Sequence, residues 1–283
     1  MFDTKLTHAV ENFAAVILPL SEKDLEHEWI WKDHDEEGIR FACFVTLQEL
    51  RHLAVKLSAL RSRPTSAQHI LSQYHATYMD LQAAIFGLSE QESDKVPAEG
   101  EWQVRRVYAH ILNAEINFTI TVRYALEKHR ASAWTPERAS DEDEYRLAGM
   151  NEEEFRALLE GPFEGILAYH RNFHPAVIEE FGKITDEELD LPSTFWEETR
   201  FPIQHRLHRY EAHYAQHTIQ IDKALAAIGK APTESMRLIR KLYAALAEAE
   251  GMMIGGEKTE SAVTLATADS IVDRTNLISA LLK

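Results

Sequence analysis

The chain has few of the features that form disulfides, membrane spans or secretion signals. Cys43 is its one cysteine, which excludes an internal disulfide and any metal cluster held by several cysteines. No apolar run approaches the ~20 residues that a membrane-spanning helix needs. The opening MFDTKLTHAVENF is too polar and acidic for a secretory signal. We therefore expect a protein of a reducing, cytoplasmic compartment with no membrane partner.

Basic residues are also scarce. The 283 residues include 30 Lys and Arg against 46 Asp and Glu, a formal charge of -16. Such a surface repels nucleic acid and anionic lipid alike, so we expect neither as a partner. Because 45% of the residues are hydrophobic, the chain can bury one large core or two modest ones.

Strand alternation is scarce as well, whereas apolar residues recur at the 3.6-residue period of a helix. The sequence therefore predicts an all-α protein. The expected helices cover residues 4–20, 38–60, 65–87, 101–128, 151–181, 202–229, 234–249 and 268–282.

Several local signals refine this prediction. Thr65 or Ser66 can cap the third helix and Asn151 the fifth, since their side chains accept from free backbone N–H groups. Pro175 is expected to kink or interrupt the fifth helix. Residues 21–37 and 131–150 are expected to be polar connections.

His213 and His217 stand out within the run RLHRYEAHYAQHTIQID of the sixth helix. Residues spaced i and i+4 leave one face of a helix, one above the other. Two stacked imidazoles form half of a transition-metal site. With 14 histidines in the chain, chance pairs are common, and a surface pair is the alternative interpretation. Tyr214 follows His213, so the pair is not the HExxH motif of metalloproteases.

The other paired histidines are weaker candidates. His174 precedes Pro175, which disfavours helical geometry at that residue. We therefore interpret His170 and His174 as a solvated or partly packed surface pair. His205 and His208 lie on the same helix as the leading pair, but we also expect them at the surface.

A third ligand should come from a neighbouring helix, because catalytic sites of this kind use three protein ligands. His110 is the best candidate, since it follows the apolar face of its helix. The alternative is a packed or hydrogen-bonded histidine without a metal.

Two segments resemble motifs of a known family. VPAEGEWQVRRVYAHILNAE, residues 96–115, is similar to the family's GEWS-V-x-x-V-x-x-H entry to its second helix. HYAQHTIQI, residues 213–221, resembles its closing H-x-x-x-H-x-x-Q motif. The family is the DinB-like superfamily, which includes YfiT-type metal-dependent hydrolases and bacillithiol- or mycothiol-dependent enzymes.

The resemblance implies an up-down-down-up four-helix bundle over residues 65–229. Residues 1–64 and 230–283 are then N- and C-terminal helical extensions. Carried onto this sequence, the family's metal ligands are His110, His213 and His217. The implied cofactor is a divalent transition metal, with zinc or nickel expected first and iron as a further possibility.

The implied function is a metal-dependent enzyme that transfers a low-molecular-weight thiol to an electrophilic small molecule. The alternatives are a metal-dependent hydrolase and a non-catalytic metal-binding scaffold. No residue is assigned a catalytic role. A homodimer through helix faces is a further expectation.

The chain departs from the family pattern at residues near the motifs. Gln216 replaces a second consecutive histidine, and Asn113 stands where an acidic residue is frequent. Ile219 replaces the glutamate of the related iron-dependent sulfoxide synthases, which argues against that subgroup. Asn113, Glu115 and Gln220 are candidates for groups that support the ligands. Gln220 has the alternative of capping a buried polar patch.

Overall fold

Helices provide almost all the regular structure. The computed structural model describes residues 4–32, 34–197, 199–256 and 261–283. Within these ranges the helices are α1 Lys5–Ile17, α2 Glu22–Leu25, α3 Ile39–Leu60, α4 Ser66–Ala84, α5 Glu90–Ser93, α6 Val104–Arg130, α7 Asp141–Ala148, α8 Glu152–Glu160, α9 Phe163–Phe181, α10 Asp186–Leu189, α11 Ile203–Ala227, α12 Glu234–Gly251 and α13 Ala262–Leu281. The prediction of an all-α protein is confirmed.

In the same described ranges, four short strands form two antiparallel pairs. Strands β1 Glu28–Trp31 and β2 His34–Gly38 pair with each other, as do β3 Pro192–Ser193 and β4 Phe201–Pro202.

The first hairpin lies in a segment that we expected to be a connection without regular structure. Trp29 and Trp31 alternate with exposed neighbours along β1, are both buried, and stack with their ring centroids 6.0 Å apart. Two large aromatic residues at a spacing of two are typical of a half-buried strand.

The chain divides into two compact units. Unit 1 comprises Met1–Arg63, Met79–Gly87 and Ala231–Lys283, and unit 2 comprises Pro64–Tyr78 and Leu88–Lys230. Both terminal segments thus belong to the same unit. The domain limits predicted from the sequence stay a prediction.

Unit 1 is built on two helix pairs, α1 with α13 and α3 with α12. The face of α1 towards its partners carries Leu6, Val10, Phe13 and Ile17, all fully buried. These positions follow the helical period, which explains why the sequence predicts the helix so well.

Unit 2 contains the predicted four-helix bundle, formed by α6, α9, α11 and the part of α4 up to Tyr78. α6 and α11 pack against each other along much of their length. α6 ends in Lys128, His129 and Arg130, whose positive character suits the negative end of a helix dipole.

The helix caps agree with the sequence signals. The Thr65 hydroxyl accepts from the backbone N–H of Gln68 at the start of α4. Asn151 accepts from the N–H of Glu154, and the Glu154 carboxylate accepts from the N–H of Asn151. This reciprocal capping box starts α8 and confirms the prediction for Asn151.

The interruption expected at Pro175 lies elsewhere. α8 ends at Glu160, α9 begins at Phe163, and α9 then continues through Pro175. Pro162 explains the break, because proline disfavours helical geometry at the residue before it, and Gly161 is extended. A Cβ at Gly161 would lie 2.8 Å from the carbonyl oxygen of Ala157, which favours glycine there. The connection expected at residues 131–150 likewise contains the short helix α7.

Among the described residues, no helix combines the length and the hydropathy needed to cross a membrane.

Candidate metal centre

The packing of α6 against α11 brings together the three histidines singled out by the sequence. His110 comes from α6, and His213 and His217 come from successive turns of α11. The ring centroid of His110 lies 5.0 Å from that of His213 and 4.7 Å from that of His217. The centroids of His213 and His217 are 4.3 Å apart.

The ring nitrogens of these side chains have the spacing of a metal site. One nitrogen from each histidine lies within 4.8 Å of the other two. The Nε2 atoms of His110 and His213 are 3.3 Å apart. At metal–nitrogen bonds of about 2.0–2.1 Å, two ligands of a tetrahedral ion stand about 3.3–3.4 Å apart. The residues therefore fit a first-row divalent ion.

Hydrogen bonding orients one of the rings. Nδ1 of His217 lies 2.8 Å from Oε1 of Gln220, which is an acceptor only. Nδ1 of His217 therefore carries the proton and donates, and the lone pair lies on Nε2. A ligating histidine usually has such a partner on its second nitrogen.

His213 has no equivalent partner. Its Nδ1 is buried and makes no hydrogen bond within the part of the chain that the structure describes. Its Nε2 faces the Nε2 of a second imidazole. Such a poorly satisfied buried ring gains from a metal ion on its free lone pair.

The surroundings favour the neutral form of two of these imidazoles, His213 and His110. Burial, followed by the proximity of His217, His110 and Arg209, lowers the pKa of His213 to about 3. Burial and then His217 lower the pKa of His110. Neutral imidazole is the form that binds a metal.

Aromatic and cationic side chains border the three histidines. The Trp102 ring lies 5.5 Å from His110, and Phe118 lies 5.8 Å from His213. The guanidinium of Arg106 lies over Trp102 at 4.4 Å, and that of Arg209 lies over Phe118 at 5.8 Å. Both arginines are exposed.

Access to the group is from the side of His110. His110 is half-buried, whereas His213 and His217 are only 9% and 8% exposed. An ion bound by the three imidazoles would therefore have open positions that face away from the core.

The three supporting residues named from the sequence lie in different places. Gln220 contacts His217, as described above. Asn113 accepts from the side-chain amide of Asn117. Glu115 is fully buried and accepts from Tyr74 and Tyr214. Among the contacts of the described residues, none joins Asn113 or Glu115 to the three imidazoles.

The prediction that His170 and His174 lie at the surface is wrong. Both are fully buried, and Nε2 of His170 lies 2.7 Å from Oε2 of Glu115. The signal was present in the sequence, because the two histidines share the helical period of Phe163, Ile166 and Val177. Pro175 does not interrupt α9, which continues through it, so His174 keeps its place on the buried face of the helix.

Comparison with known proteins supports one family. The family profile described as the DinB superfamily matches residues 73–221 of the 283. This range contains all three histidines of the candidate centre. Searches of curated proteins and of solved structures found no match.

Proposed function

Since the chain belongs to the DinB superfamily, we propose that it is a metal-dependent enzyme whose ion is held by His110, His213 and His217. The observation that carries the proposal is the convergence of three ring nitrogens within 4.8 Å of one another. With three protein ligands, the ion would keep open positions for small molecules, as catalytic metal sites do.

The charge and the orientation of the three histidines suit the binding of a divalent ion. All three ligands are imidazoles without negative charge, so a divalent ion would keep its full charge. Gln220 accepts from Nδ1 of His217, which fixes the ring and leaves its lone pair on Nε2. A bound ion would lower the pKa of a thiol or water and supply a nucleophile at neutral pH.

We propose thiol transfer as the reaction, on the basis of the family resemblance. The sulfur of a low-molecular-weight thiol forms a bond to an electrophilic carbon, and the leaving group departs with its bonding electron pair. The thiol proton passes to solvent. The thiol is a cosubstrate, because Cys43 is buried in unit 1, outside the unit that holds the histidines.

The rim of the centre suits an anionic small molecule. Arg106 lies over Trp102, which borders His110, and Arg209 lies over Phe118, which borders His213. The formal charge of the whole chain is -16, so these two cations stand out. Two exposed guanidinium groups attract a carboxylate- or phosphate-bearing substrate.

Elemental analysis of protein purified without a histidine tag tests the metal centre. His110→Ala, or His213→Ala with His217→Ala, should lose one equivalent of metal per chain. His208→Ala is the matched control, because His208 lies on the same helix and is exposed. Retention of the same stoichiometry in the ligand variants would disprove the three-histidine site.

A screen of low-molecular-weight thiols with the identified metal then tests the reaction. Thiol consumption in the presence of an electrophile, lost in His110→Ala, supports transfer. Consumption of an ester without thiol supports a hydrolase. If chelation lowers the melting temperature but no substrate is consumed, the protein is a metal-stabilised scaffold.

Three parts of the proposal have their own measurements. Zinc or nickel is our first expectation for the ion, and the elemental analysis identifies it. Light scattering tests for a homodimer. Cell fractionation tests the cytoplasmic location that thiol chemistry favours.

A further inference from the structure

A second group of ligand-type side chains lies in the interior of unit 2. It consists of Glu115, His170 and His174, which share no residue with the three-histidine centre. All three are fully buried. A carboxylate and two imidazoles in one core are unusual, since such groups are rarely buried without a partner of opposite charge.

Different helices of the bundle bring these side chains together. Glu115 comes from α6, and His170 and His174 come from successive turns of α9. Tyr74 from α4 and Tyr214 from α11 donate to the Glu115 carboxylate. Helix bundles often build their metal sites in this way, from side chains of facing helices.

The distances within the group suit a metal ion. Oε2 of Glu115 lies 2.7 Å from Nε2 of His170, and its Oε1 lies 3.5 Å from Nδ1 of His174. One donor atom of each residue lies within 4.8 Å of the others. Neighbouring ligands of an ion with bonds of about 2.1 Å stand about 3.0–3.4 Å apart. The Glu115–His174 distance is close to this spacing, whereas the Glu115–His170 contact has hydrogen-bond length and would open by about 0.3 Å around an ion.

One atom of the group has a single, long contact. Nδ1 of His174 is buried and lies 3.5 Å from Oε1 of Glu115, too far for a well-formed hydrogen bond. Nε2 of His174 lies 3.1 Å from Nδ1 of His75. When Nε2 of His174 donates to His75, its Nδ1 lone pair faces a carboxylate oxygen. Two acceptors that face each other in a dry core require a cation or a proton between them.

His170 is held firmly in place. Its Nδ1 lies 2.7 Å from the hydroxyl of Tyr108, and its Nε2 points to Glu115 and to the hydroxyl of Tyr214. When the Tyr108 hydroxyl accepts from Nδ1 of His170, the lone pair of this ring lies on Nε2, which faces the Glu115 carboxylate. The tyrosine is then the second-nitrogen partner that ligating histidines commonly have.

We propose that Glu115, His170 and His174 form a second metal site, which binds a divalent first-row ion. Two histidines and one carboxylate are the donor set typical of iron(II) and also suit manganese(II). A divalent ion would compensate the buried negative charge and bind between Nδ1 of His174 and the Glu115 carboxylate, where the present contact is 3.5 Å. The proposal stands independently of the three-histidine centre.

The test uses the variant His213→Ala with His217→Ala, in which the second group is untouched. This variant is produced in manganese-supplemented medium without a tag, dialysed against magnesium to remove weak surface ions, and analysed for metal. We expect one equivalent of bound manganese per chain, with an electron paramagnetic resonance spectrum distinct from that of the hydrated ion. No bound manganese would overturn the proposal and identify a hydrogen-bonded core instead.

A further substitution locates the ion. Adding Glu115→Gln to that variant removes one ligand charge at constant size, and manganese should then be lost. The matched control is Glu180→Gln, which removes a partly exposed carboxylate of α9 that pairs with Arg123. Retention of manganese in the Glu115 variant would place the ion elsewhere and overturn the assignment. If that variant does not fold, the analysis of the first variant decides.

The two metal proposals fail in different ways. If the three-histidine centre is wrong, His110→Ala keeps all the metal of the unmodified protein. If the second site is wrong, the variant lacking His213 and His217 either contains no manganese or keeps its manganese when Glu115→Gln is added.

Discussion

At the scale of single residues, the histidines of unit 2 differ in what their second ring nitrogen contacts. His217 donates to Gln220, whereas Nδ1 of His213 makes no hydrogen bond in the described chain and Nδ1 of His174 has only a long contact of 3.5 Å with the Glu115 carboxylate. Burial lowers the pKa of both His213 and His174 to about 3. Neutral rings with a free lone pair are suited to ligation rather than to ion pairing.

Gln220→Leu should weaken metal binding, because it removes the acceptor that fixes the proton on Nδ1 of His217. Losses of this kind are typically about 10–100-fold in affinity. Competition with a chromophoric chelator measures the change. Gln216→Leu, on an exposed face of the same helix, is the control and should keep the original affinity. Equal affinities in the two variants would contradict the role of Gln220.

Cys43 should be inert in the folded protein. It is 2% exposed, and burial raises the pKa of its thiol to about 12. Because the thiolate is the reactive form, labelling by a disulfide reagent at pH 8 should be slow until denaturant is added. Cys43→Ala should retain the bound metal. Rapid, stoichiometric labelling without denaturant would show that the side chain is accessible.

Residue identity alone predicts one histidine group and not the other. His213 and His217 are recognisable because a helical spacing coincides with a family motif. His170 and His174 have the same spacing, but their environment depends on residues far away in the sequence, including Tyr108 and Glu115. A single sequence does not reveal which buried acid faces which helix.

At the scale of elements, helices with a sustained apolar period are predicted well and short elements are not. The 3.6-residue pattern predicts α1, α6 and α11, whereas α7 has no buried residues and thus leaves no such pattern. The break between α8 and α9 follows from Pro162, which keeps Gly161 extended and precedes the first turn of α9. Propensity rules assign Pro175 a stronger effect than it has within a packed bundle.

Asn151→Ala should destabilise the protein by about 1 kcal/mol, because it removes the side-chain acceptor at the start of α8. Chemical denaturation measures the change in the free energy of unfolding. Glu153→Ala is the control, since Glu153 is exposed and is not part of the capping box formed by Asn151 and Glu154. Equal losses in both variants would show that the cap contributes nothing specific.

At the scale of the whole molecule, the buried histidines make stability depend on pH. In the metal-free protein the pKa values of His174 and His213 are about 3, below the value of about 6.5 for an unfolded chain. Protons therefore favour the unfolded state, and the stabilisation present above pH 6.5 is lost as the pH falls towards 3. The expected slope reaches about 1.4 kcal/mol per pH unit for each histidine.

Denaturation in the presence of a chelator, between pH 7 and pH 5, tests this dependence. The window lies above the range in which most carboxylates titrate. His174→Gln, which replaces the imidazole by an amide that does not titrate, should give a shallower slope. A free energy of unfolding that stays constant across the window would show that the folded and unfolded chains bind the same number of protons, and hence that folding does not lower the pKa of these histidines.

The pairing of α1 with α13 has a consequence for synthesis on the ribosome. The apolar face of α1 emerges before its partner α13, and the other helices α2–α12 are made between the two. Leu6, Val10, Phe13 and Ile17 therefore remain uncovered by α13 until all of these helices have been made. Unit 2, which lies between the two helices in the chain, is complete before that partner exists. Unit 1 therefore completes its packing after unit 2. A ribosome that stops before α13 releases a chain with a folded bundle and with the apolar face of α1 uncovered by α13, which favours aggregation.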